Sequence, residues 1–181
     1  SNRVLHLHRV IICQSSEFFD ACLRHEMKES NDGGIVTMSD EDDEELMTEL
    51  LRSCYSLQID FPSDNSKIVP MVQLAQKYQF NALLPNLIRY LSSNIDTRTN
   101  ILQCLHLDLF GDEQLEPVKM QLLIEMQNST QDILSGESHL SLDVDQWKQA
   151  IQLMVNSENR SIMCDAVQAW VSRDPENRSA H

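Results

Sequence analysis

The sequence predicts a mostly α protein with a small β component, an α+β chain made of two helical parts. Only four glycines and five prolines interrupt 181 residues, a composition that favours helices with short joints. Along most of the chain, Leu, Met and aromatic residues recur every three or four positions, the period of a half-buried helix. Two short runs alternate instead: Val4-Leu5-His6-Leu7-His8, and Ile35-Val36-Thr37-Met38 after the Asp32-Gly33-Gly34 turn. These read as the two strands.

The elements follow in order. From His8 to Ser30 the alternation passes into helical spacing and ends on Met27-Lys28-Glu29, a hydrophobe set among charges. Methionine is adaptable and recurs at binding surfaces, so Met27 reads either as a core plug or as a side chain left for a partner. The acids from Ser39 to Asp43 stand where a helix dipole favours them. The helix they start carries Leu46, Met47, Leu50, Leu51 and Cys54 on one face, with Tyr55 next. Asp64 or Asn65 caps the following helix, whose stripe is Ile68, Met71, Val72, Ala75 and Tyr78. Pro70 belongs in its first turn, where a missing N–H costs little. Leu83, Leu84, Leu87, Ile88 and Leu91 form another stripe, with Pro85 in its opening turn. The pattern breaks near Asp96-Thr97-Arg98-Thr99, and a domain boundary is expected there. Beyond it, helices are expected over 100–110, 115–127, 144–155 and 159–172, with an irregular stretch over 127–141.

Charge narrows the partners. Fourteen Lys and Arg stand against 28 Asp and Glu, a net charge of −14. Such a surface repels phosphate backbones and anionic lipids, so neither nucleic acid nor a membrane is the expected partner. It steers a basic face toward it. No apolar run approaches the ~20 residues of a membrane helix, and no signal-peptide pattern opens the chain. The five cysteines, scattered and odd in number, fit a reducing intracellular compartment.

Chemistry finds little purchase. His6 and His8 would share one face of a strand, but no third metal ligand stands near them. Cys104, His106 and Asp108 do not converge on a helix, because His106 points about 200° from Cys104. No nucleophile elbow, phosphate loop or dinucleotide fingerprint is present. Trp147 and Trp170 read as core anchors. No catalytic residue, metal or cofactor is expected, and the chain is not read as an enzyme.

The order of short motifs carries a resemblance. His8-Arg9-Val10-Ile11-Ile12, Ser15-Ser16-Glu17-Phe18-Phe19 and Met27-Lys28-Glu29-Ser30 resemble the opening of the BTB/POZ domain. Leu50-Leu51-Arg52-Ser53-Cys54-Tyr55, Leu74-Ala75-Gln76-Lys77-Tyr78 and Arg89-Tyr90-Leu91 follow in that family's order. Thr99-Asn100-Ile101-Leu102, the Leu140-Ser141 region, Ala166-Val167-Gln168-Ala169-Trp170-Val171 and Asp174-Pro175-Glu176-Asn177-Arg178 resemble the BACK domain of Kelch-like proteins. The resemblance implies a BTB domain over 1–96, lacking its N-terminal helix and first strand, and the N-terminal part of a BACK domain over 97–181.

What that resemblance implies is a substrate adaptor of a cullin-3 RING ubiquitin ligase, binding the cullin-3 N-terminal domain through BTB and the start of BACK. Met27 and Glu29 occupy the family's hydrophobe-x-Glu signature, with Met27 entering an apolar pocket and Glu29 fixing orientation. Tyr55 and Tyr78 lie at helix ends near the family's cullin surface; Tyr78 with Phe80 is the second candidate contact, with packing at a helix joint as the competing role for both. Homodimerisation and a substrate held by a domain outside this chain are implied for a longer parent protein, in the cytoplasm or also the nucleus. The other reading is a BTB-BACK scaffold that oligomerises without engaging cullin.

Overall fold

A computed structural model describes residues 4–24, 34–39, 42–56, 59, 61–95, 100–135, 137–154 and 159–174. The chain divides into two compact units, Ser1–Leu87 and Ile88–His181. The helices expected from periodicity are present except the one over 100–110, and among the described residues there is no strand. Val4 to His8 is exposed, non-helical chain, and residues 35–38 keep their alternation, Val36 and Met38 half-buried against exposed Ile35 and Thr37, without a pairing ladder. Alternation marks which face a residue turns inward; a strand also needs a neighbour to take its N–H and C=O groups. The expected β component is therefore not seen in the described residues.

In the first unit, α1 (Arg9–Ser15) and α2 (Glu17–Arg24) form a tight pair. Ser16 lies between them in extended conformation, φ −143° and ψ 124°. Next, α3 (Glu44–Ser56) is capped by Asp43, whose Oδ1 accepts from the N–H groups of Glu45 and Leu46 at 2.9 and 3.0 Å. A 3-10 turn (Asn65–Lys67), capped by Asp64, leads into α4 (Ile68–Lys77), with Pro70 in its first turn as expected. Helix α3 packs on both α1 and α4. Ile12, Leu46, Leu50, Ile68, Met71 and Val72 on these elements are buried. Helix α5 (Leu84–Ser93) has Pro85 in its first turn and crosses the boundary between the units.

In the second unit the helix expected over 100–110 is a single 3-10 turn, Gln103–His106, followed by irregular chain. The burial pattern explains this. Ile101, Cys104 and Leu105 follow a helical step, but Leu105, Leu107 and Leu109 are all buried, a period of two. No helix turns all five inward. Asp108 then accepts from the Gly111 N–H at 2.9 Å, and a Cβ at Gly111 would lie 2.1 Å from that carboxylate. A 3-10 turn (Glu113–Leu115) opens α6 (Glu116–Asn128). After α6 come α7 (Thr130–Ser135), a 3-10 turn (Ser138–Ser141), α8 (Val144–Met154) and α9 (Arg160–Arg173). The irregular stretch expected over 127–141 is thus mostly ordered in short turns.

Asp143 and Gln146 form a capping box at the start of α8. The Asp143 Oδ1 accepts from the Gln146 N–H at 2.8 Å, and the Gln146 Oε1 accepts from the Asp143 N–H at 2.9 Å. Trp147 and Trp170 are buried 5.7 Å apart, as core residues, and the Trp170 indole donates to the Leu142 carbonyl at 2.7 Å.

Candidate functional site

Of the residues singled out at sequence level, Tyr78 and Phe80 lie at the joint between α1, α2 and the end of α4. Ser16 makes that joint. Its hydroxyl donates to the Tyr78 carbonyl at 2.5 Å and accepts from the Phe19 N–H at 3.2 Å, so it caps α2 while holding α4. The Glu17 N–H donates to the Gln79 carbonyl at 3.3 Å beside it. An N-cap hydroxyl at this place satisfies one donor that a helix start otherwise leaves open.

Helix α4 stops in a Schellman turn. The Phe80 N–H reaches the Ala75 carbonyl at 2.8 Å and the Gln79 N–H reaches Gln76 at 3.1 Å. That geometry puts Gln79 at φ 51°, the left-handed region usually left to glycine. It also turns Phe80 inward. Phe80 is fully buried and Tyr78 is 4% exposed, packed with Phe18 and Phe19 at ring separations of 5.1 to 6.1 Å. Both residues were expected near a partner surface. Packing at a helix joint is the competing role, and in the structure both are buried there and present almost no surface.

The Tyr78 hydroxyl still has a role at the edge. It donates to one carboxylate oxygen of Asp42, and the Lys77 ammonium donates to the other at 2.7 Å. Burial pushes the Asp42 carboxyl up, but hydrogen bonds from Lys77 and Tyr78 outweigh it and hold the group below its ordinary range. Burial and the Asp42 hydrogen bond together push the Tyr78 phenol up. The chain before α3 is thereby fastened to the end of α4.

Tyr55 stands elsewhere on the unit. It is 39% exposed near the end of α3, and its hydroxyl accepts from the His8 N–H at 2.6 Å, with the two rings edge-on at 5.8 Å. Leu5, Leu7, Leu51 and the Tyr55 ring line a shallow apolar groove of about 110 Å³. That is below the several hundred Å³ of an ordinary small-molecule site and suits one side chain. The remaining two candidates, Met27 and Glu29, lie outside the described residues. The pair His6 and His8 gains no third ligand: among the described residues no three His, Cys, Asp or Glu are placed to hold a metal. Cys104 and Asp108 part company, one buried and one on a turn, while His106 meets the Gln146 amide at 2.6 Å. Burial pushes the Cys54 thiol up, and that of Cys104 up to about 12. Such thiols stay protonated at neutral pH and are poor nucleophiles.

Sequence reasoning missed Ser16, Asp42 and Gln79. The double serine before Glu17-Phe18-Phe19 was the available signal for a cap. Gln79 had none, because a left-handed residue is flagged in sequence only by Gly or Asn.

The profile of the BTB/POZ domain family matches residues 1–95. No curated protein matches the chain.

Proposed function

From the premise that this chain belongs to the BTB/POZ domain family, we propose that it is the substrate-adaptor module of a cullin-3 RING ubiquitin ligase. BTB domains serve as adaptors or scaffolds, and the family match over 1–95 is the observation that carries this reading. The Met27-Lys28-Glu29 sequence supports the adaptor role over the scaffold role. It follows α2 by three residues, and α2 is held at its start by Ser16, Tyr78 and Gln79. In this proposal Met27 fills an apolar pocket on cullin-3, Glu29 fixes orientation by hydrogen bonds, and Tyr55 adds a peripheral contact. Tyr78 and Phe80 act through the joint, by holding α2.

Residues 97–181 are proposed to be the first part of a BACK domain. The run Ala166 to Trp170 on α9 and the closing Asp174-Pro175-Glu176-Asn177-Arg178 support this reading. The parent protein is proposed to dimerise, to act in the cytoplasm or nucleus, and to hold its substrate on another domain. It performs no bond chemistry of its own. Its effect on rate comes from holding a substrate lysine near the charged conjugating enzyme.

The test is calorimetry of the full-length protein with the cullin-3 N-terminal domain, beside Met27→Ala and Glu29→Lys. Each variant is expected to lose ~2 kcal/mol of binding, about thirtyfold in affinity. A folded, dimeric wild type that does not bind cullin-3 sinks the adaptor reading and leaves the scaffold.

A further inference from the structure

We draw no further inference here: the strongest candidate, the shallow apolar groove that Leu5 and Leu7 form with Leu51 and Tyr55 of α3, carries nothing, because nothing in the structure shows what covers it and its Tyr55 wall belongs to the contact already proposed.

Discussion

The two units hold themselves together in different ways. At the joint of the first unit the long-range links are short ones beside a cluster of rings: the Ser16 hydroxyl bonds the Tyr78 carbonyl, the Glu17 N–H bonds the Gln79 carbonyl, and a Schellman turn buries Phe80 next to them. In the second unit, long side chains reach back to distant backbone. Gln149 donates to Leu105, Gln127 to Leu153, Asn159 to Gln127 and to the Thr130 hydroxyl, and Trp170 to Leu142. The family match over 1–95 covers the first unit and the beginning of the second.

Core truncation should show the largest effects and the contrast most plainly. Phe80→Ala removes a fully buried ring from the first unit and is expected to cost ~3–5 kcal/mol in denaturant unfolding. Trp170→Phe keeps much of the ring area in the second unit but leaves the Leu142 carbonyl without its donor, for ~1–3 kcal/mol. If Trp170→Phe were neutral, the side-chain arms would not be what holds the second unit.

Ser16→Ala comes next. It removes a helix cap and the donor to Tyr78 together, and ~2 kcal/mol is expected. It should also weaken cullin-3 binding measured at full folding, because α2 loses its anchor.

Asp42→Asn sharpens the account through pH. The group's folded pKa lies below its ordinary 3.8, so the stability it provides is present above that value and is lost as pH falls through the lower folded one. With Lys77 about half-exposed, ~1 kcal/mol is expected at neutral pH. Wild type and variant should converge once Asp42 is protonated. A gap of constant size down to that pH would assign the effect to packing.

The smallest change has the opposite sign. Gln79 sits at φ 51° in a turn that glycine fits without strain, so Gln79→Gly should stabilise by ~0.5–1 kcal/mol. A loss there would mean that the Gln79 side chain, and not only its carbonyl, serves the joint.

Much of this was legible in the chain itself. The stripes of α3, α4 and α5 gave their inward faces, Pro70 and Pro85 marked first turns, and Asp64 caps the turn that opens α4. Trp147 and Trp170 are core, as their type suggests. The stretch 100–110 misled because its apolar count suits a helix while its period changes halfway. Residues 4–8 misled because alternation says nothing about whether a neighbouring strand is present. At the site, sequence order pointed to Tyr78 and Phe80 but could not give their direction. A left-handed Gln79, which no glycine announces, and a serine bonding across 62 positions decide that.

The central claim is that a fixed joint presents the chain after α2 to cullin-3. Amide hydrogen exchange, followed with and without the cullin-3 N-terminal domain, tests it most directly. The account predicts new protection from Met27 to Ser30, with the amides of Gln79 and Phe80 already slow and unchanged. Protection absent from 27–30, or a joint that exchanges freely until cullin-3 arrives, would contradict it.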